Sequence, residues 1–425
     1  MVIRSYGLFC LLLAGLCSAG WLQEKSRTWP SVCSAKYALS QSQAAYDDAV
    51  SAFYPNLSAS AGLHRTLDMS SQTISPDYYV ANASIELNIN LLTNGLSNFY
   101  RVFQKGLARD QAELRYRQVF QQTQVQLLSL MSSFESKQKW THLYQEQSDL
   151  YKQVLSNTEH AYTRGEFSDL FVSNARLQFQ SSLITLEESA MQLLAQKTLL
   201  DSLEITPDIE SDNCTDRLLQ VISQNIERLP TMLSANFDIT FQQLEEKRQY
   251  WIDLESQSIG HPSLKFYAQR SYGRSDENST HLLEDPLQAQ SNVLGFLVSW
   301  PLFSPNSFPQ SKAAEMSYKK SQSDKDFALS NARNTLSTSY QQIRFYLSQY
   351  QRSSKALGIA EHNLHQIGDL YKRNLISYLE LQNYFQSCSD VRTRAMQYRD
   401  QCVTGWLELS KAFDIPLEEE ASPHE

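Results

Sequence analysis

Apolar positions in this chain recur with two periods, one helical and one strand-like. From about Leu96 to Leu155, and again from about Asn306 to Ile367, the pattern is helical and unbroken for roughly 60 residues, which is roughly 90 Å of helix. Globular helices average about a dozen residues, so runs this long predict coiled-coil-like packing. In the second run Leu329, Leu336, Ile343, Tyr350, Leu357, Leu364 and Tyr371 fall at every seventh position. Moving back by 371 − 162 = 209 positions gives Phe120, Leu127, Phe134, Thr141, Ser148, Leu155 and Tyr162, mostly apolar and in the same phase. This seam is expected to be buried between protomers. Upstream of each run the period changes to two. Ile85, Leu87, Ile89 and Leu91 alternate with polar residues, and Leu294, Phe296, Val298, Trp300 and Leu302 form the equivalent apolar face. Strict alternation predicts strands with one apolar and one polar face.

Two short polar breaks organise the helices. Tyr162-Thr163-Arg164-Gly165 and Tyr371-Lys372-Arg373-Asn374 each carry Gly or Asn where a left-handed turn residue is wanted. Beyond each, a return helix of roughly 40 residues is predicted, ending near Leu203 and Phe413. Before each strand pair stands a short helix, one between Pro30 and Pro55 and one between Pro230 and Pro262. The second interval (262 − 230 = 32) exceeds the first (55 − 30 = 25) by one heptad, which leaves a packing seam in phase. Polar loops at 68–77 and 275–285 separate the strands of each pair. The chain is thus expected to be a duplication: residues 21–208 form one repeat, 209–415 the second, and 416–425 an acidic disordered tail.

Composition narrows the class. With 13 Gly and 12 Pro in 425 residues, long helices are favoured over a loop-rich fold. A net charge of −9 with no basic patch argues against nucleic acid as a partner. The first 20 residues read as a signal peptide: Arg4, an apolar stretch from Leu8 to Leu16, then Ser18-Ala19-Gly20. Leu16, directly before Cys17, is a poor fit to the small residue that lipidation of that cysteine wants. Nothing after Trp21 resembles a transmembrane helix. Cys33, Cys214, Cys388 and Cys402 are expected to be free thiols.

Four strands with one apolar face leave open edges, and membrane barrels need at least about eight strands, so other copies of the chain must complete the barrel. Three copies give twelve strands. Tyr54-Pro55-Asn56-Leu57, Leu91-Leu92-Thr93-Asn94-Gly95 and the Tyr162 break with its trailing Asp169-Leu170 recur as His261-Pro262-Ser263-Leu264, Pro301-Leu302-Phe303 and the Tyr371 break. In order, spacing and recurrence these resemble the TolC family of outer-membrane efflux proteins over essentially the whole mature chain. The resemblance implies a mainly α fold with a small β part. Duplicated helical hairpins would build a periplasmic α-barrel, and the four strands would join a trimeric twelve-stranded outer-membrane β-barrel. It further implies a homotrimer in a Gram-negative-type outer membrane, working with a periplasmic adaptor and an inner-membrane pump to pass small molecules or proteins outward.

For the site, the resemblance implies a constriction at the hairpin tips. Family acids six and nine positions after the tip glycine map to Phe171 and Asn174, and to Glu380 and Asn383. Only Glu380 is acidic, and Asp169 lies two positions out of register. The gate candidates are therefore Glu380, Asn383, Asn174, Asp169 and Tyr371, with a ring of Glu380 favouring cations. Tyr162, Arg164, Gly165, Arg373 and Asn374 are the candidate adaptor-docking residues. Ile85, Leu87, Ile89, Leu91, Phe296, Val298 and Trp300 are the candidate lipid-facing strand positions. His362 and His365 share a helical face without a third ligand and read as solvated, so no metal is expected. No P-loop, dinucleotide fingerprint, zinc-protease motif or nucleophile elbow is present, so neither an enzyme nor a cofactor is expected. A periplasmic coiled-coil scaffold, or a receptor or adhesin of the same architecture without transport, stands as the alternative.

Overall fold

A computed structural model describes residues 17–66, 78–93, 96–205, 214–301, 305, 307–373 and 375–415. The chain forms two compact units, each assembled from both halves of the sequence. The strand unit comprises 35–116 and 239–328, and the helical unit comprises 1–34, 117–238 and 329–425. In chain order the elements are α1 (Cys17–Thr28), α2 (Pro30–Ser51), β1 (Asn56–Thr66), β2 (Tyr78–Leu92), α3 (Ser97–Thr163) and α4 (Asp169–Ser202). Then come α5 (Cys214–Asn225), a 3-10 stretch (Ile226–Ala235), α6 (Phe237–Gln257), β3 (Ser263–Asp276), β4 (Gln288–Ser299), α7 (Ser307–Lys372) and α8 (Tyr378–Ala412). Helix, strand pair, long helix and return helix thus occur twice. The long helices exceed expectation, at 67 and 66 residues.

Two expectations are corrected. The second short helix does not begin at Pro230. That proline lies inside the 3-10 stretch, and α6 starts at Phe237. With 22 residues in α2 and 21 in α6, the extra length of the second interval (237 − 230 = 7) goes into the 3-10 stretch rather than an added heptad of helix. Second, Ser275 and Asp276 belong to β3 rather than a loop. Residues 68–77, 277–285, Leu302 and the 416–425 tail lie outside the described residues.

In the strand unit the sheet order is β1-β2-β3-β4, antiparallel throughout, so β2 of the first repeat pairs with β3 of the second. Register places Leu57 opposite Leu87, Ala59 opposite Ile85, Ile89 opposite Phe266 and Phe266 opposite Phe296, so apolar side chains share one face. The other face is polar, with Ser60 bonded to Ser84 at 2.8 Å and Ser271 to Ser291 at 2.7 Å. Gly295 packs closely there: a Cβ at this position would lie 3.1 Å from the Tyr267 hydroxyl. Below the sheet, α3 is tied to α6: Glu255 accepts from Ser97 Oγ at 2.8 Å and Gln104 Nε2 at 2.7 Å, and Phe103 stacks on Trp251 at 4.7 Å.

The helical unit has its own core, including Leu127, Leu200, Ile222, Ile343, Trp406 and Phe413. Gln121 of α3 donates to the Ser410 and Phe413 carbonyls, both at 2.8 Å, which satisfies the end of α8. The buried carboxylate of Glu135 accepts the Thr215 N–H at 2.8 Å and its hydroxyl at 2.7 Å, so α3 caps the start of α5. The heptad seam of α7 is not between protomers where it is deepest. Leu336 and Ile343 are buried within the chain, and Ile343 faces Gly405 of α8. Cys33, Cys214, Cys388 and Cys402 are all free.

Candidate functional site

Both hairpin tips lie in the helical unit, and each is shaped by its backbone bonds. At the first, the Glu166 N–H donates to the Ala161 carbonyl at 3.0 Å and the Gly165 N–H to that of Tyr162 at 2.9 Å. This is a Schellman stop, with Gly165 at φ +76°, where a side chain would be strained. Arg164 pairs with Glu166 at 3.2 Å, and Tyr162 is exposed. At the second tip the Leu375 N–H donates to the Leu370 carbonyl at 3.0 Å. This bond is the counterpart of Glu166 to Ala161 at the repeat offset (375 − 166 = 209; 370 − 161 = 209). The Arg373 N–H donates to the carbonyls of Asp369 and Leu370, both at 3.2 Å. Asn374 and the side chain of Tyr371 lie outside the described residues.

The return helices start differently. Ser377 caps α8 in a complete capping box: its Oγ accepts the Glu380 N–H, and the Glu380 carboxylate accepts the Ser377 N–H at 2.8 Å and hydroxyl at 2.9 Å. These bonds, backbone first, hold the Glu380 carboxyl below the usual carboxylate range. Ser168 caps α4 with the same extended backbone, but its side chain accepts no cap bond; the Phe171 N–H donates instead to the Ser168 carbonyl at 3.0 Å, and Phe171, at the place of Glu380, has no carboxylate to return a bond to the Ser168 N–H. Asp169 opens α4 and is exposed, as are Asn174 and Asn383.

Side-chain contacts order the hairpins into a layer. Glu159 of α3 pairs with Arg176 of α4 at 2.9 Å. Tyr151 of α3 meets Phe385 of α8 edge-on at 5.9 Å and donates to Gln386 at 3.3 Å. Arg392 of α8 reaches Glu361 of α7 and Glu146 of α3, each at 2.5 Å. The lateral order is α4, α3, α8, α7. The free flank of α4 carries a second heptad stripe, Leu170, Leu177, Ile184 and Met191, between 58% and 77% exposed. On α7, Phe345, Ile359 and Leu370 share one exposed face, because their spacings (359 − 345 = 14; 370 − 359 = 11) are close to whole helical turns. In the strand unit, β1 and β4 end the sheet, and Leu294, Phe296 and Val298 are at least 64% exposed. Trp300, just past β4, is 63% exposed and donates its indole N–H to the Gly260 carbonyl at 3.0 Å. Ile85 and Leu91 are exposed, and Leu87 and Ile89 half-buried.

These features coincide with known proteins. Residues 21–203 match the family model described as outer membrane efflux protein. The fold is similar to that of the outer membrane protein VceC of Vibrio cholerae, at TM-score 0.74 and 15% identity, covering 93% of this chain and 96% of that one. It is similar to CusC, at TM-score 0.72 and 14% identity, covering 94% and 92%. It is likewise similar to the CmeC outer membrane channel of Campylobacter jejuni, at TM-score 0.66 and 13% identity, covering 95% and 87%. No curated protein matches by sequence. The matches to solved structures extend the likeness of fold beyond residue 203.

Two features of this chain escaped the sequence reading, though both were legible. Ser377-x-x-Glu380 is the capping-box signature, and Leu170, Leu177, Ile184 and Met191 repeat at every seventh position. The histidines behave as surface groups: His362 contacts Gln366 at 3.1 Å and His365 pairs with Asp369 at 3.7 Å. Among the described residues no helix is long and apolar enough to cross a membrane, and no cluster could hold a metal ion.

Proposed function

We propose that this chain is one protomer of an outer-membrane exit duct, a closed trimer that passes small molecules or proteins from the periplasm to the outside. One observation carries the reading: both layers end in unfinished edges. Among the described residues β1 and β4 each have one paired edge, a hazard for any protein that leaves them open. In the helical layer α4 and α7 end in exposed apolar stripes. Rotational copies close both layers with the same contacts, α4 against α7 of the next copy and β1 against β4, giving twelve strands. The outward apolar strand face then meets lipid, with Trp300 near its edge. The tips around Gly165 and Arg373 form the dock for a periplasmic adaptor, which links the duct to an inner-membrane pump of the tripartite efflux or type I secretion kind. Glu380, Asn383 and Asn174 belong to the constricted end.

Cross-linking tests the closure. Ile184 stands almost as far from the start of α4 (184 − 169 = 15) as Ile359 stands from the end of α7 (372 − 359 = 13), so both lie at about one level above the tips. A chain carrying Ile184→Cys and Ile359→Cys should give, on oxidation, a ladder that stops at three chains. A ladder continuing past three, or monomer alone, would favour the scaffold reading.

A further inference from the structure

Two basic side chains of β3 are placed in opposite ways. Lys265, on the polar face of the sheet, pairs with Glu86 of β2 at 3.9 Å. Arg270 stands on the other face. It lies opposite Ile85 of β2 and Asn292 of β4, and strand alternation puts it in line with Phe266 and Ala268. That is the apolar face, the one that meets lipid in a closed barrel. Arg270 is exposed, and among the described residues its charge has only the ring of Tyr272 for a partner, 5.1 Å from the centroid.

No neighbouring strand supplies a carboxylate. β1 and β4 contain no acidic residue, and the single acid of β2 is Glu86, which shares the polar face with Lys265. Asp276 of β3 is six residues from Arg270 (276 − 270 = 6), about 20 Å along the strand. Further copies of the chain bring β1 against β4 and add no acid there. A charge facing hydrocarbon is costly, and least so at the edge of the bilayer. Arg270 lies at such an edge. Helices α2, α3, α6 and α7 join the sheet at one end. On β3 and β4 the paired positions run away from that end as Leu264 and Val298, Phe266 and Phe296, Ala268 and Leu294, then Arg270 and Asn292. With the helices in the periplasm, the polar pair marks the outer leaflet.

We infer that Arg270, held against Tyr272 and flanked by Asn292, binds the phosphate of an outer-leaflet lipid headgroup. A guanidinium presents paired N–H donors that fit two phosphate oxygens. Its alkyl stem lies along the apolar band while the head reaches the headgroups, the Tyr272 ring keeps it at the strand, and Asn292 adds an amide donor. The inference rests on the exit-duct reading, which sets the sheet in a membrane and decides which leaflet Arg270 meets.

The test is native mass spectrometry of the purified full-length protein, titrated with diphosphoryl lipid A, with phosphatidylcholine or with inorganic phosphate. Wild-type trimers should bind lipid A, and Arg270→Gln should weaken that binding about ten-fold with phosphatidylcholine adducts unchanged. Arg270→Lys, which keeps the charge and loses the paired donors, should fall between the two. Lys265→Gln removes the same charge from the polar face and should bind lipid A like wild type. Arg270→Gln should also keep the trimer and its melting temperature in detergent, which a merely structural arginine would not. Equal affinity for lipid A in wild type and Arg270→Gln, or equal losses in Arg270→Gln and Lys265→Gln, would overturn the site and leave the duct intact. Displacement of lipid A by inorganic phosphate would overturn the lipid as its ligand. Absence of trimers from wild type and every variant would overturn the duct reading and the site with it.

Discussion

The contact of Ile343 with Gly405 gives the sharpest handle on the helical unit. Ile343 is fully buried, and a Cβ at position 405 would lie 3.2 Å from its Cγ1. Ile343→Ala removes three carbons, about 2.4 kcal/mol of transfer free energy at ~0.8 kcal/mol per buried methylene. The void adds to this, because α8 cannot slide over it: Arg392 pins α8 to Glu361 and Glu146, and Gln121 holds its far end. The expected cost is about 3–4 kcal/mol, inside the range for such truncations. Gly405→Ala alone should destabilise by about 1 kcal/mol, as overpacking of ~1–3 kcal/mol is partly offset by the helix preference of alanine, ~1 kcal/mol. In the Ile343→Ala background the same methyl enters the void, and its sign should invert to a gain of about 1–2 kcal/mol. The cycle therefore predicts a coupling of about 2 kcal/mol or more. Unfolding of all four proteins in detergent, followed by circular dichroism, measures it. Additive effects would show that Ile343 and Gly405 do not share this contact.

Other consequences follow from the caps. Bonds from Ser377 depress the Glu380 carboxyl, so its contribution is complete above the ordinary carboxylate pKa of about 4.3. It is lost as pH falls through the lower folded value. Amide exchange in the first turn of α8 should rise in acid, and Glu380→Gln, which keeps the box geometry but not the titration, should flatten that rise; an equal acid slope in both proteins would refute the assignment. Glu135→Ala orphans the Thr215 N–H and should loosen α5 by about 1–3 kcal/mol, read as faster exchange across Cys214–Asn225 with the tips unaffected. Unchanged exchange there would mean that α5 is held by its apolar face alone.

How much was legible depended on whether a feature is local. The alternation from Ile85 to Leu91 and the offset between the Tyr162 and Tyr371 breaks reflect rules of neighbouring residues, and the strands and long helices follow them. What a heptad cannot reveal is its partner. Ile343 and Ile184 both lie on heptad stripes of apolar side chains, yet one is sealed inside the chain and the other is 58% exposed. Only the order α4, α3, α8, α7 distinguishes a seam within a protomer from one at its edge. Pro230 misled for a different reason: proline marks helix starts, but it is equally at home in the 3-10 stretch found there. At the tips, Glu380 was read for its charge alone, whereas the residue three positions before it gives the carboxylate a second task. The same comparison exposed Phe171, where that task is missing.

The central claim is that copies of this chain enclose a duct. Its most direct test is single-channel recording from the purified trimer in a planar bilayer, with Glu380→Gln alongside. The account predicts discrete, reproducible steps, with a cation preference that the substitution reduces. A folded trimer that inserts and yields no steps in either form, or that fails to insert at all, would contradict it.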